Sequence, residues 1–155
     1  MRLLLYDRVV SLEKDKSIAG IKSFALSEEF HRGHFGKIAL VPGVMFIEAM
    51  AQLLGWLIHY SHDFKLFAIM SMIEGVSVRP QLRPGFQAHI HAEIISTSSK
   101  DSLGKACMEA DGEVIASMDR IIYSHFHGVN PSELSTLFSY YSGLAPAGGR
   151  EIRAP

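Results

Sequence analysis

Apolar residues cover almost the whole circumference of one long segment in the first half of the chain. This segment, residues 42–60, contains no Lys or Arg and is rich in Ala, Met and Leu, which predicts a helix. A helix that is apolar on all sides has to be buried, either in a protein core or in a membrane. Because polar residues interrupt the segment, we expect the central helix of a globular domain and not a bilayer span.

Most of the remaining chain has the pattern of β-strands. Residues 86–97 alternate between apolar side chains on one face and polar ones, such as His89 and His91, on the other. Asp111-Gly112 separates two further runs and favours a type I′ hairpin turn, because both turn positions need a positive φ. The predicted strands are residues 6–13, 17–26, 66–72, 73–78, 86–97, 103–110 and 113–123. We therefore predict an α+β fold in which about six mostly antiparallel strands pack on one buried helix.

A second helix is predicted near the C-terminus. Asn130 is a suitable N-cap and Pro131 suits the first helical position. Apolar residues follow at helical spacing, and Gly143 fits the stop; they are Leu134, Leu137, Phe138 and Tyr141. We divide the chain into a main domain at residues 1–128, an additional docked helix at 129–143 and a disordered tail at 144–155.

Length and composition narrow the class of protein. The 155 residues suit one domain, and a net charge of −1 argues against nucleic-acid binding. Cys107 is the only cysteine, so no intramolecular disulfide can form and a reducing cytoplasm is the expected setting. The first residues do not resemble a signal peptide. We expect a cytoplasmic protein with no membrane partner.

Glu48 is unusual because it is an acidic residue within the apolar helix. No Lys or Arg lies within one turn of it. An unpaired carboxylate in an apolar core costs several kcal/mol, so a buried Glu48 should be neutral and available as an acid. Alternatively, the helix is turned so that Glu48 reaches water. Gln52, one turn further on the same face, either orients Glu48 or bonds to nearby backbone.

His34 lies in a polar, glycine-containing loop before the helix. Pro42-Gly43 opens the helix, so the free N–H groups of the first turn point back toward this loop. Such donors suit a carbonyl oxygen that gains negative charge during a reaction. One short stretch thus supplies a candidate base, a candidate acid and a candidate oxyanion donor.

The motifs around these residues resemble a known enzyme family. They are Gly33-His34-Phe35, Pro42-Gly43-Val44 and Ile47-Glu48-Ala49-Met50-Ala51-Gln52. At this spacing they are similar to the signature of the 3-hydroxyacyl-[acyl-carrier-protein] dehydratases of fatty acid synthesis, the FabZ type. The similarity runs from about Leu4 to about Tyr123 and includes Val78-Arg79-Pro80 and Arg83-Pro84-Gly85.

The resemblance implies a hotdog fold, in which a six-stranded sheet wraps one helix, and a lyase that converts 3-hydroxyacyl thioesters to trans-2-enoyl thioesters. It implies His34 and Glu48 as the catalytic pair, contributed by different subunits of a homodimer or trimer of dimers. We expect Gly43, Gln52, Phe35 and Val44 to bind substrate or stabilise the oxyanion. No cofactor is expected beyond the phosphopantetheine arm of the carrier, which is acyl carrier protein or coenzyme A.

Three features depart from the family pattern. The family usually has Pro-Gly and another Pro after the His-Phe pair, whereas this loop reads Gly36-Lys37-Ile38-Ala39-Leu40-Val41. The family's N-terminal helix is nearly absent, and the predicted C-terminal helix is additional. Glu48 also stands where the related dehydratase–isomerases of the decanoyl type carry Asp, which argues against isomerase activity.

Two other functions fit the same residues. A thioesterase could use Glu48 to activate water, and a catalytically silent acyl-binding subunit could have lost the usual loop. Arg79 and Arg83 are either solvated edge residues or contacts for an acidic carrier protein. The pairs His89 and His91, and His125 and His127, lack the further ligands that a metal site needs, so no metal is expected.

Overall fold

The computed structural model describes residues 3–31, 36 and 38–144. His34, Phe35 and residues 145–155 of the predicted tail lie outside this part. The described elements follow one another as strands β1 (Arg8–Glu13) and β2 (Ser17–Phe24), a 3-10 turn (Glu29–His31), helix α1 (Gly43–Ser61), strands β3 (Leu66–Val78), β4 (Phe86–Thr97), β5 (Asp101–Ala110) and β6 (Glu113–His127), and helix α2 (Pro131–Ser142).

Within the described residues, the six strands form one sheet in the order β1-β2-β4-β5-β6-β3, and every neighbouring pair is antiparallel. Helix α1 lies across this sheet and contacts every strand from β2 to β6. Gly104 on β5 allows the close approach. A Cβ atom there would lie 2.7 Å from Cδ2 of Leu54 and 2.6 Å from the Glu93 carbonyl oxygen. The predicted hotdog arrangement, with one buried helix against a six-stranded sheet, is confirmed.

The strand prediction differs from the structure in two main places: β6 continues past the predicted end at Tyr123 to His127, and two predicted strands are one. Residues 66–72 and 73–78 were assigned to two strands, but both belong to β3, whose pairing with β6 shifts register between Met70 and Met72. Such a bulge breaks the alternation of side chains without ending the strand. The Asp111-Gly112 turn is confirmed, because both residues have positive φ, 52° and 79°.

The exclusion of a membrane span on sequence grounds also needs correction. By length and apolar composition alone, α1 could cross a bilayer. More than half of the helix is buried inside the fold, however, and residues such as Phe46, Leu53 and Leu57 are fully enclosed. Burial by the sheet, and not the polar residues that interrupt the apolar segment, identifies α1 as a core helix.

The predicted C-terminal helix is present as α2, and it packs on α1. The side chain of Asn130 accepts hydrogen bonds from the backbone N–H groups of Ser132 and Glu133, and Gly143 ends the helix in the left-handed conformation. Phe138 anchors α2 because its ring meets those of three aromatic residues of α1 and the following turn. The centroid distances are 5.3 Å to Trp56, 6.1 Å to Tyr60 and 5.6 Å to Phe64.

This packing predicts that Phe138→Ala destabilises the protein. Phe138 is 5% exposed, and truncating a buried phenylalanine costs about 3 kcal/mol through lost burial and a residual cavity. Tyr140→Ala is the matched control, because Tyr140 is 38% exposed and should change stability by only about 0.5 kcal/mol. Urea unfolding measures both. Equal effects at the two positions would show that α2 does not depend on this aromatic contact.

Candidate active site

Glu48 lines a cavity that runs along one face of α1. It is half-buried, so the carboxyl group is neither sealed in the core nor open on the surface. Gln52, Gly55 and His59 follow at spacings of four, three and four residues, which places them on the same face of the helix. The cavity has a volume of about 600 Å³, and apolar and aromatic side chains from β3, β6, α2 and the N-terminal segment complete its wall.

Gln52 holds Glu48 in a fixed orientation. The backbone N–H of Leu5 donates to Oε1 of Gln52 at 3.0 Å, while Nε2 donates to the Leu3 carbonyl oxygen at 2.9 Å. These two contacts with the backbone identify which atom of the Gln52 amide is the oxygen and which is the nitrogen. The second hydrogen of Nε2 therefore points to Oε1 of Glu48, at 2.9 Å. Both interpretations of Gln52 from the sequence apply together: it bonds to backbone and it orients the carboxyl group.

This arrangement makes the two oxygens of Glu48 different. Oε1 accepts the amide hydrogen of Gln52, so a proton on the carboxyl group belongs on Oε2. Tyr123 on β6 lies on the same cavity wall, and its hydroxyl donates to the Ala51 carbonyl oxygen at 2.6 Å. Burial raises the pKa of Tyr123, and Glu48 would raise it further when its carboxyl group is ionised. Tyr123 is thus a neutral wall residue and not a proton donor to substrate.

His59 lies at the other end of the α1 face from Glu48. Its Nε2 accepts the backbone N–H of Ala68 at 3.0 Å, so the neutral ring carries its hydrogen on Nδ1, which has no partner among the described residues. The ring stacks on Phe67 and meets Trp56 edge-on. Burial lowers the pKa of His59 to about 4, and the nearby His125 and His62 add to the effect.

No side chain among the described residues caps the N-terminus of α1, which leaves this helix end able to receive an oxygen atom. Pro42 is the N-cap and provides no side-chain hydrogen bond, and no acidic residue lies in the first turn. Backbone N–H groups in the first turn of a helix lack intrahelical acceptors. Gly43 permits a tight approach to β3, since a Cβ atom there would lie 2.8 Å from Cγ1 of Val78. Val44 is 66% exposed and lies one turn before Glu48 on the same face.

The connection that carries Arg79 and Arg83 lies beside this helix end. The backbone N–H of Val41 donates to the Leu82 carbonyl oxygen at 2.8 Å, which ties the connection to the segment that enters α1. Both arginines are exposed. Arg79 forms an ion pair with Glu113, whereas no ion pair involves Arg83 within the described part of the chain. Arg83 is therefore the more accessible cation next to the helix N-terminus.

The structure brings together Glu48 and Gln52, while Gly43 and Val44 lie at the start of the same helix. His34 and Phe35 are outside the described residues. Among the residues that the structure does describe, no three His, Cys, Asp or Glu side chains converge as a metal site would require. Sequence reasoning missed the cavity wall. A helical wheel from Glu48 would have found Gly55 and His59, whereas nothing in the local sequence marks Tyr123 or Phe67.

Comparison with known proteins places these features in a family. A family model for the FabA-like domain matches residues 1–121. The 3-hydroxyacyl-[acyl-carrier-protein] dehydratase FabZ of Bacillus subtilis is 34% identical over 118 residues, which cover 75% of this chain and 83% of the relative. The enzyme of the same name from Bacillus pumilus is 34% identical over 112 residues, 72% of this chain and 78% of the relative.

Solved structures support the fold. Smu.793 from Streptococcus mutans, bound to acetyl CoA, superposes with a TM-score of 0.64 at 11% identity, covering 84% of this chain and 96% of the other. Thioesterase HI1161 from Haemophilus influenzae superposes with a TM-score of 0.59 at 10% identity, covering 77% and 78%. At such low identity these likenesses concern the fold and not the reaction.

The buried, neutral His59 predicts a specific acid sensitivity. Its pKa is lowered from 6.5 to about 4 in the folded protein, so below about pH 6.5 protonation favours the unfolded chain. The resulting loss of stability should approach a value on the order of 3 kcal/mol as the pH falls to about 4. In His59→Gln, urea unfolding should show a smaller loss between pH 7 and about pH 4 than in the wild type. An identical pH dependence would contradict a neutral, buried His59.

Proposed function

Because the chain belongs to the FabA-like family, we propose that it dehydrates 3-hydroxyacyl thioesters to trans-2-enoyl thioesters. The observation that carries the proposal is the carboxyl group of Glu48, held by Gln52 in the wall of an apolar cavity. A carboxyl group with one oxygen hydrogen-bonded and the other without a partner among the described residues is suited to act as a general acid. The substrate's leaving hydroxyl would meet Oε2.

The remaining steps follow from the chemistry of the elimination. We assign His34 as the base that removes the proton from the carbon α to the thioester carbonyl. Glu48 protonates the hydroxyl on the β carbon, the carbon–oxygen bond breaks, and water leaves as the α–β double bond forms. The carbonyl oxygen becomes enolate-like, and the backbone N–H of Gly43 would stabilise it at the open helix end. Phe35 and Val44 would contact the substrate near the thioester.

The acyl chain and its carrier can be assigned to different sides of this site. The apolar cavity suits the acyl chain, while the exposed helix end suits the phosphopantetheine arm that acyl carrier protein and coenzyme A share. Arg83 and Arg79 lie on the connection next to this helix end, where an acidic carrier surface or a phosphate would approach. We propose no cofactor of the protein's own and a role in fatty acid or related acyl-chain biosynthesis in the cytoplasm.

We further propose a homodimer, or a trimer of dimers, whose subunits meet along β3. This thirteen-residue strand is an edge of the sheet and exposes large apolar side chains, including Phe67, Ile69 and Met72. A long apolar edge strand promotes aggregation unless it is paired. Phe67 and Ile69 also line the cavity, so a partner subunit on β3 would lie next to Glu48's site and could supply His34 to it.

The first test of the activity uses Glu48→Gln and His34→Ala. Each variant should lower the rate of dehydration at least about a hundredfold, the usual effect of losing a general acid or base. The rise in enoyl absorbance with 3-hydroxyacyl thioesters on both carriers measures the rate. Glu93→Gln and His89→Ala are matched controls, because both residues are exposed on β4 and outside the cavity wall.

The same assay separates the alternatives. Release of free thiol without enoyl absorbance would identify a thioesterase in which Glu48 activates water. Saturable binding without either product would identify a silent acyl-binding subunit. Near-normal dehydration by either variant would contradict the roles assigned to His34 and Glu48.

Coexpression tests whether the site is shared. If each site takes His34 from one subunit and Glu48 from the other, a heterodimer of His34→Ala with Glu48→Gln contains one intact site. Random assembly should then restore about a quarter of wild-type activity. The control coexpresses the wild type with a double variant that carries both His34→Ala and Glu48→Gln. If the sites are shared, heterodimers of this pair contain no intact site. A monomer in solution, or no recovery in the first pairing, would contradict the proposal.

A further inference from the structure

Helix α2 forms part of the wall of the cavity that starts at Glu48. Leu134, Leu137 and Tyr141 line the cavity together with the α1 residues described above. The family model ends at residue 121, whereas α2 begins at Pro131. This part of the wall therefore lies outside the residues that the family model matches.

The two sides of α2 perform different tasks. Phe138 is buried against Trp56, Tyr60 and Phe64 and does not line the cavity, so it holds the helix in place. Leu137, its neighbour, is only half-buried and lines the open space. A change at Leu137 should therefore alter the shape of the cavity while the anchor remains.

The position of α2 along α1 determines which part of a substrate it would meet. Trp56, which contacts the anchor, is eight residues beyond Glu48, or about 12 Å along the helix axis. The reacting carbons must lie at Glu48, so only the distal part of an acyl chain can reach α2. Gly55 keeps the path between them open, because it adds no side chain to this face of α1.

We propose that α2 limits the length of the acyl chain that this enzyme accepts and that Leu137 is a specificity-determining residue. The substrates are then acyl thioesters with an apolar tail long enough to contact Leu137, and short acyl groups are poor substrates. This inference rests on the proposed dehydratase function for its kinetic consequence. Its consequence for binding is independent of the reaction.

The experiment measures binding and turnover against chain length in two opposite variants. Leu137→Ala enlarges the cavity and should shift preference to longer chains. Leu137→Trp fills it and should shift preference to shorter ones. The change in the ratio of kcat/KM for long and short substrates should be about tenfold in each direction, the smaller end of what one methylene is worth in an apolar pocket. The same two substitutions at Thr136, which is exposed on α2, should leave the ratio unchanged.

Binding can be measured without catalysis. In wild type and Leu137→Ala, Trp56 is the only tryptophan and it lines the cavity, so saturated acyl-pantetheine thioesters of increasing length should change its fluorescence. Affinity should rise with length until the chain fills the cavity, and Leu137→Ala should move this limit to longer chains. Leu137→Val should move it less in the same direction, which keeps the test available if the alanine variant is unstable.

The outcomes separate this inference from the proposed function. If no chain length is dehydrated but the limiting acyl length for binding changes in the Leu137 variants, the reaction is assigned wrongly and the role of α2 in chain length is correct. If dehydration occurs and the Leu137 variants change neither the kcat/KM ratio nor the limiting acyl length for binding, the role of α2 in chain length is overturned and the reaction is correct. Equal changes of the kcat/KM ratio in the Thr136 variants would also overturn the role of Leu137, because they would reflect a general change in α2.

Discussion

The structure depends on the need to enclose a helix that is apolar on nearly every side. The sheet covers most of α1, with close contacts such as that between Leu54 and Gly104, but it does not enclose the helix alone. The face that contains Glu48, Gln52 and His59 is covered by strands β3 and β6, which lie at one end of the sheet, together with the N-terminal segment and α2. These elements do not fill the space, and the cavity is what remains between them. Enclosure of α1 and formation of the site therefore have one cause.

Gln52 links this enclosure to the chemistry of Glu48. Its amide is bonded at both ends to the backbone of the N-terminal segment, at Leu3 and Leu5, and the remaining hydrogen goes to Glu48. The segment thus closes the cavity and sets the orientation of the carboxyl group through one side chain. A fixed acid loses little freedom when substrate binds, and such preorganisation contributes to catalysis. The backbone of residues that carry no reactive groups is in this way part of the site.

Local features of the sequence predicted most of the fold and part of the site. Three features could be identified without the structure, because the residues that cause each of them lie within its own short segment. They are the Asp111-Gly112 turn, the Asn130 cap and the apolar α1 segment. Glu48 and Gln52 were found because a charge in an apolar helix is conspicuous. The continuity of β3 was missed because a bulge imitates a strand end, and the cavity wall was missed because Phe67, Tyr123 and Leu137 come together only through tertiary packing.

The cavity itself has an energetic cost that packing alone does not explain. Glycine inside a helix is about 1 kcal/mol less favourable than alanine. At Gly55 an added Cβ would meet only Cε1 of Tyr123, at an ordinary contact distance of 3.7 Å, so alanine would fit. His59 adds a buried donor with no partner among the described residues. Substitutions that would stabilise the fold are thus available on this face of α1, but the sequence does not contain them. Proteins commonly forgo such gains where an open or strained site is needed for function. An apolar channel kept open from Glu48 to α2 is that kind of site.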